Sequence, residues 1–303
     1  MKIFVLHIQF FLFIVLLPSG CAQKISSQHF YGQYLGQNPP KAVPIIFAKG
    51  IVKNCISFTP DGNECYFRGN TPGKIMFMKL IKDNWTTPQV VPFSINSAND
   101  MNPHLSPDGN TLAFASNRSN INEGNNKNSV DIFVAVRTAN GWEQPKYPGD
   151  CINSKDTDGH PTLSSNGNLY FFSNRNGDND IFYSKLVKGQ YAEPRIMCKA
   201  INSDYDEVDP LIAADESFII FCVRDKSDGF GKNDLYISFQ NKDGTWTQAK
   251  NMGNKINTAA EELFPGISPD GKYLFFTSSR KGNYYTYWMD TKIINNLKSN
   301  IMR

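Results

Sequence analysis

Short apolar segments alternate with polar turns along most of the chain, and the turns share a four-residue pattern. Most copies resemble Ser-Pro-Asp-Gly, in which Pro presets one turn dihedral, Asp or Asn accepts local hydrogen bonds and Gly tolerates positive φ. The copies lie at residues 59–62, 106–109, 164–167, 213–216 and 268–271. Each copy is therefore predicted to be a β-turn that joins two strands.

The apolar segments around these turns predict four strands in each repeated unit. A short segment precedes each turn, and a segment rich in aromatic and β-branched residues follows it, as in residues 169–173 and 273–277. A third apolar segment and a short fourth one complete the unit. Units of four antiparallel strands, repeated about every 50 residues and unable to bury both faces alone, are typical of a β-propeller.

The two ends of the repeat pattern predict how the propeller closes. The fifth unit ends after Trp288, before any fourth strand, whereas the apolar segment 43–48 precedes the first unit and has no partner of its own. The sequence therefore predicts an all-β fold, a five-bladed propeller over residues 43–290, in which the N-terminal strand closes the last blade. Residues 291–303 are left as a C-terminal helix or tail.

The first 21 residues have the pattern of an export signal. Lys2 precedes an apolar run that is shorter than the roughly 20 residues needed to cross a bilayer, and small residues then lead to Cys21. This ending resembles the lipobox of bacterial lipoproteins. We expect a signal at residues 1–20, a lipid on Cys21, a polar tether at 21–42 and a location in the periplasm or outer membrane. The alternative is an ordinary cleaved signal with a free Cys21.

The repeat itself resembles a known family. Its order is Pro-x-[Leu/Ile]-Ser-Pro-Asp-Gly, an aromatic strand, Ser-x-Arg and Asp-[Ile/Leu]-[Phe/Tyr], and it covers residues 43–290. This order resembles the WD-like propeller repeat of TolB-type proteins and of many exported proteins of Bacteroidetes-type bacteria. The resemblance implies a propeller fold, but the family has mixed functions. The chain departs from TolB in having five repeats rather than six and no room for an N-terminal α/β domain.

Composition and motifs exclude several classes of function. With 31 Lys and Arg against 28 Asp and Glu, the formal net charge is +3, which gives no reason to expect a nucleic-acid partner. The sequence contains no Gly-x-Ser-x-Gly, phosphate-binding loop, paired-cysteine zinc motif or His-Glu-x-x-His. The turns also lack the Trp of a sialidase Asp-box.

Charged residues recur at fixed positions in the units. Six residues before the turn, four units have an acid: Asp100, Asp158, Glu207 and Glu262. The second strand of every unit ends near an arginine: Arg68, Arg118, Arg175, Arg224 and Arg280. These residues form either structural ion pairs within the blades or a carboxylate-lined funnel that binds a divalent cation or a polyhydroxyl ligand.

Other polar residues break the symmetry. His104 and His160 lie near Asp100 and Asp158, which fits acid-base or metal chemistry on one interpretation and a surface or capping role on the other. Cys55 and Cys65 flank the first turn and are either a cross-strand disulfide or free thiols. The long loops 119–130 and 225–233 are predicted to line one rim, where propellers bind partners.

The sequence favours a non-catalytic binding or scaffold module of the cell envelope. We expect a protein or glycan partner at the rim or in the central funnel, membrane contact only through the N-terminal lipid, and no required cofactor, although a divalent cation in the funnel is compatible with the acids. The candidate ligand-binding residues are Asp100, Asp158, His160, Glu207 and Glu262. The alternative is a glycoside hydrolase-like enzyme, which requires two unpaired carboxylates, whereas a scaffold requires each acid to be paired with an arginine.

Overall fold

Five antiparallel sheets follow one another along the chain, as the repeated turns predict. The structure is a computed structural model that describes residues 32–118, 129–149 and 151–301. The predicted signal, Cys21, the first part of the tether and most of the loop 119–130 lie outside the described residues. The described part confirms a five-bladed β-propeller of four-stranded antiparallel blades.

The first two blades contain the strands up to residue 142. The first strand along the chain is β1 (Ile45–Ile46), which belongs to the last blade. Blade 1 contains β2 (Asn54–Phe58), β3 (Glu64–Arg68), β4 (Ile75–Ile81), β5 (Asn84–Trp85) and β6 (Gln89–Val90). Blade 2 contains β7 (Asp100–Leu105), β8 (Thr111–Ser116), β9 (Asp131–Thr138) and β10 (Gly141–Trp142).

The remaining blades repeat this order. Blade 3 contains β11 (Asp158–Leu163), β12 (Leu169–Ser173), β13 (Asp180–Ser184), the side hairpin of β14 (Leu186–Val187) and β15 (Gln190–Tyr191), and β16 (Arg195–Ile196). Blade 4 contains β17 (Glu207–Ile212), β18 (Phe218–Arg224), β19 (Asn233–Phe239) and β20 (Lys250–Asn251). Blade 5 contains β21 (Glu262–Ile267), β22 (Tyr273–Ser278) and β23 (Tyr285–Asp290), and β1 pairs with β23 as its fourth strand.

The innermost strands of the blades form a closed circle around an axis. Strand β2 contacts β7, β7 contacts β11, β11 contacts β17, β17 contacts β21, and β21 contacts β2 again. We call the end at which these strands begin the entry end and the end at which they reach the four-residue turns the turn end. The two ends carry different side chains, and each is treated separately below.

The N-terminal strand closes the last blade, as predicted from the unpaired segment 43–48. In β1, Ile45 lies opposite Trp288, and Ile46 lies opposite Tyr287. The next residue, Phe47, is 0% exposed, and its ring centroid lies 5.0–6.4 Å from those of Phe58, Phe275 and Trp288. Its side chain therefore joins blade 1 to blade 5.

Part of the predicted tether is packed on the propeller. Residues Tyr34–Gly36 form a 3-10 turn, and Leu35 is fully buried in the same cluster as Phe47. The indole Nε1 of Trp85 donates a hydrogen bond to Gly32 O at 2.7 Å. Residues 34–36 of the predicted tether are therefore packed on the propeller, because Tyr34 and Leu35 gain burial there.

The chain ends in the helix α1 (Lys292–Ile301), which packs against blades 4 and 5. Its Ile294 is buried, and Ile293, Leu297 and Ile301 are partly buried against the same cluster. No helix among the described residues is long and apolar enough to cross a membrane.

The packing of Phe47 predicts a large loss of stability on truncation. Phe47→Ala removes a fully buried ring that bridges two blades, so we expect the free energy of unfolding to fall by about 3–5 kcal/mol. Chemical denaturation followed by tryptophan fluorescence measures this change. Val43→Ala, at a side chain that is 71% exposed, is the control and should change stability by less than about 0.5 kcal/mol. Similar small effects of both substitutions would contradict closure by Phe47.

Candidate functional site

The four predicted acids are the first residues of their inner strands, and all four are 0% exposed. The chain just before the strand provides hydrogen bonds to the carboxylates. In blade 3, Ser154 donates its backbone N–H and its hydroxyl to Asp158 Oδ2, at 2.6 and 2.8 Å. Ser203 does the same for Glu207, and Thr258 does the same for Glu262. These carboxylates therefore hold the connection between successive blades.

In three blades an arginine completes this arrangement. The Nη2 atoms of Arg118, Arg175 and Arg280 lie 2.7, 2.7 and 3.3 Å from the carboxylates of Asp100, Asp158 and Glu262, respectively. Each guanidinium also lies over two aromatic rings of its own blade at 4.9–5.4 Å from the ring centroids. We call this arrangement of acid, arginine and aromatic rings the blade lock. The blade lock agrees with the first of the two interpretations of the repeated charges, in which they form structural ion pairs within the blades.

Blade 4 lacks the blade lock. Glu207 lies opposite Val223 in the sheet, where blades 2, 3 and 5 have a serine. The arginine follows this position by one residue instead of two, and Arg224 pairs with Asp206 at 3.1 Å while its side chain is 50% exposed. The ammonium of Lys226 instead lies over the Tyr236 ring, 4.7 Å from its centroid. The predicted equivalence of Arg224 with the other arginines is therefore wrong, because it is displaced by one position.

The missing arginine changes the protonation of Glu207. Burial raises the pKa of this carboxyl to about 7, although hydrogen bonds from Ser203 act in the opposite direction. The charge of Lys226 also lowers this pKa, but burial is the larger effect, because the charged form of a buried carboxyl is poorly solvated.

The side chains that meet at the axis come from a different position. Two residues after the position of the acid, which is Lys53 in blade 1, every blade has a non-glycine residue with φ between 47° and 55°. In every blade, the pairing between the first and second strands shifts its register at this position. The inner strand therefore contains one extra residue there, which is a β-bulge. These residues, which we call the axial ring, are Cys55, Asn102, His160, Asp209 and Phe264.

The axial ring residues contact one another across four blades. His160 Nδ1 lies 2.7 Å from Asn102 Nδ2 and 3.0 Å from Asp209 Oδ1. The rings of His160 and Phe264 are stacked at 5.6 Å between centroids, and Phe264 N–H donates to Asp209 Oδ2 at 3.4 Å. His160 and Asp209 are each only 5% exposed. Of the predicted ligand-binding residues, only His160 therefore belongs to this central group.

The axial ring contains the residue types of a thiol hydrolase, but not its chemistry. Cys55 and His160 line a small cavity of about 30 Å³, which is roughly the volume of one water molecule. Burial, and then the charge of Asp209, raise the pKa of the Cys55 thiol well above its ordinary value. The reactive species would be the thiolate, so this environment disfavours nucleophilic attack by Cys55.

The two cysteines near the first turn are free thiols. Cys65 is fully buried in the core of blade 1, opposite Phe58, whereas Cys55 belongs to the axial ring. The disulfide alternative is therefore not formed, because Cys55 lies three residues along β2 from Phe58, which is the residue opposite Cys65. Among the described residues, no group of three or more His, Cys, Asp or Glu side chains is arranged to bind a metal ion.

The second histidine lies closer to the turn end, in the space between the inner strands, which we call the channel. His104 Nδ1 accepts a hydrogen bond from the backbone N–H of Leu163 at 3.3 Å. Burial, with a smaller contribution from His160, lowers the pKa of His104 to about 3. His104 is therefore a neutral imidazole at physiological pH, with its hydrogen on Nε2.

A sequence signal for the axial ring exists in four of the five blades. Proline follows the ring residue directly as Pro103, Pro161, Pro210 and Pro265. Proline inside a central strand marks a bulge, because it cannot donate a ladder hydrogen bond. The residue before each of these prolines therefore marks the axial ring, two residues after the acid.

The entry end also presents two exposed aromatic side chains. Phe230, in the loop between β18 and β19, is 48% exposed, and Tyr284, before β23, is 46% exposed. Asp234 accepts hydrogen bonds from the N–H groups of Phe230 and Gly231, so the loop is anchored. Its backbone approaches Ala260, while the Tyr284 hydroxyl donates to Glu261. The loop predicted to line the rim therefore does present an aromatic residue there.

Comparisons with known proteins identify the fold. No family model and no curated protein matches the chain. The structure is similar to TolB from Acinetobacter baumannii, with a TM-score of 0.50 and 17% identity over 77% of this chain and 53% of that one. The chain thus spans about half of that TolB. It is also similar to the endo-arabinase from Bacteroides thetaiotaomicron, with a TM-score of 0.56 and 13% identity over 84% and 96% of the two chains. At these identities, the similarity shows a TolB-like propeller fold.

The raised pKa of Glu207 predicts a pH-dependent cost to stability. The folded state holds this proton up to about pH 7, whereas an unfolded carboxyl releases it near 4.5. Between these values the folded state binds more protons, so stability falls by about 1.4 kcal/mol per pH unit as pH rises. Glu207→Gln removes this loss, and we expect it to be more stable than the wild type by about 2–3 kcal/mol at pH 8 and similar at pH 4.5.

Glu262→Gln is the matched control, because Thr258 binds Glu262 as Ser203 binds Glu207. This variant leaves the guanidinium of Arg280 without its carboxylate, and it should lose about 3–5 kcal/mol at pH 8. Denaturant unfolding across pH 4.5–8 measures both. Equal destabilisation of the two variants would show that Glu207 is ionised and paired.

Proposed function

We propose that this chain is a non-catalytic binding protein of the cell envelope, with a protein or glycan ligand bound at the entry-end rim. The observation that carries the proposal is the burial of all four inner-strand carboxylates, each of which is 0% exposed and hydrogen-bonded within the fold. Three of them are also paired with arginine. The acids therefore support the blades and are not presented to a ligand.

The enzyme alternative has less support. Glycoside hydrolysis uses two carboxyl groups that flank the scissile bond and contact the sugar. The raised pKa of Glu207 suits a general acid, but its side chain is 0% exposed and is hydrogen-bonded to Ser203, so it is not presented to a sugar. Similarity to an endo-arabinase supports a shared fold, and activity is a property of sites rather than of folds.

The aromatic pair at the entry end provides the contact surface in this proposal. Aromatic residues are enriched in binding surfaces because they offer a large rigid area at low entropic cost, and their faces also stack on sugars. Phe230 and Tyr284 both adjoin the segment that contains Ala260 and Glu261. The loop of Phe230 is held by Asp234, so binding need not order it first.

Site-specific photo-crosslinking tests the rim. A photoreactive phenylalanine analogue at Phe230 or Tyr284, in the chain expressed in its native type of envelope, should form a discrete adduct with a protein or glycan. Val187 is the matched control, because it is 54% exposed and lies in the β14–β15 hairpin, which packs against the turn at Gly167. Adducts at Val187 but at neither rim position would contradict a rim site.

An activity assay tests the other part of the proposal. The purified protein, incubated with arabinan and with a panel of envelope glycans, should release no reducing ends above the background of a boiled sample. Release that is abolished by Glu207→Gln would establish the enzyme alternative and overturn the non-catalytic assignment.

The envelope location rests on the N-terminal pattern. We expect Cys21 to be lipidated, so cells fed radiolabelled palmitate should label the wild-type chain and not Cys21→Ser. The variant should also move from the membrane fraction to the soluble fraction. Labelling that persists in Cys21→Ser, or a soluble wild type without label, would contradict lipid anchoring and favour an ordinary cleaved signal.

A further inference from the structure

A second cavity lies at the turn end of the channel, away from the rim proposed above. Its volume is about 530 Å³, and all five blades and α1 contribute to its walls. Ligand sites for small molecules usually occupy roughly 300–1,000 Å³. The cavity is thus large enough for an organic molecule, unlike the space beside the axial ring.

The walls of this cavity are mainly apolar. They include Phe58, Leu105, Leu163, Leu211, Ile267 and Ile294. Among the described residues that line it, Asp215 is the only one with a formal charge, and this residue is exposed. An apolar enclosure with a carboxylate nearby disfavours anions, so an uncharged ligand is expected.

Most of the polar groups in the walls already have partners. The hydroxyls of Ser106 and Ser268 donate to Asp108 and Asp270 within their own turns, and that of Thr291 donates to the Gly271 carbonyl. These side chains stabilise the turns and the start of α1. They leave few hydrogen-bond donors for a ligand.

His104 is one of the wall side chains whose hydrogen-bond donor has no acceptor among the described residues. Its Nδ1 accepts the Leu163 N–H, so the hydrogen of the neutral ring lies on Nε2. No described residue accepts a hydrogen bond from Nε2, and the side chain lines the cavity. Because burial keeps the ring neutral, the donor is present at any pH near neutrality.

We propose that the turn-end cavity binds an uncharged, mainly apolar small molecule whose carbonyl or ether oxygen accepts a hydrogen bond from His104. The apolar walls contribute most of the affinity, and His104 selects molecules with an acceptor oxygen. This site is independent of the rim, so a ligand here and a partner at the rim can be bound at the same time.

The uncharged dye Nile red, which contains a carbonyl group, tests the cavity by its fluorescence increase in apolar surroundings. The experiment uses the full chain with Cys21→Ser, so that no acyl chain is attached. We expect saturable binding that Asn295→Trp weakens at least tenfold, because Asn295 is exposed on α1 and lines the cavity. Asn296→Trp is the matched control, since this neighbouring exposed residue does not line it, and should leave the affinity unchanged.

Two competitors of similar shape test the role of His104. Benzophenone has a carbonyl oxygen, and diphenylmethane has none. His104→Phe should raise the Kd of benzophenone about fivefold, the usual size of one neutral hydrogen bond, and leave that of diphenylmethane nearly unchanged. Thermal unfolding checks that each variant is folded, and Ala214→Trp, on another wall, blocks the cavity independently of α1.

Three results would overturn the proposal. The first is an absence of saturable dye binding. The second is binding that survives both Asn295→Trp and Ala214→Trp, which would place the dye elsewhere on the protein. The third is an equal change in the Kd values of benzophenone and diphenylmethane in His104→Phe. This result would show that His104 does not donate a hydrogen bond to the carbonyl oxygen.

Discussion

A propeller blade buries its faces only against its neighbours, so the whole structure depends on closing the circle between β1 and β23. The closing strand is only two residues long, and its backbone hydrogen bonds are too few to account for closure. Phe47 supplies the larger contribution, because its ring packs against residues of both the first and the last blade. The burial of Leu35 in the same cluster extends this closure toward the N-terminus.

Within the closed circle, repeated and varied residues have different roles. The blade lock uses the same chemistry in blades 2, 3 and 5, where each acid is paired with an arginine of its own blade. The axial ring has one backbone conformation but five different side chains. Asn, Asp and His tolerate this left-handed conformation, whereas Phe264 adopts it at a cost. A position with uniform backbone and varied side chains is where one propeller can differ from another in what it binds.

The fold could be predicted from the sequence because its signals are local. Each turn has its own Pro, Asp and Gly, and the unpaired segments at the ends define the closing blade. The site could not be predicted in the same way. In a regular strand, alternate side chains lie on the same face of the sheet, and a β-bulge interrupts this alternation. The bulge after Asp158 inserts one residue, so His160 points to the axis while Asp158 remains inside the blade. Similarly, Arg224 stands one residue too early to reach Glu207, and only the register of the sheet shows this.

The irregularities of blade 4 belong together. In blade 4, Val223 replaces the serine and Arg224 is displaced by one residue. The start of the loop after β18 therefore lacks the arginine–acid pair that is present in blades 2, 3 and 5. The loop is held by Asp234 instead, whose carboxylate accepts hydrogen bonds from Phe230 and Gly231 and leaves the Phe230 ring outside. The same change leaves Glu207 without a paired arginine, and burial raises its pKa. One departure from the repeat thus accompanies both a buried acid that lowers stability at neutral pH and an exposed aromatic residue at the rim. A loss of stability of this kind is tolerated most readily at the part of a protein that carries its function.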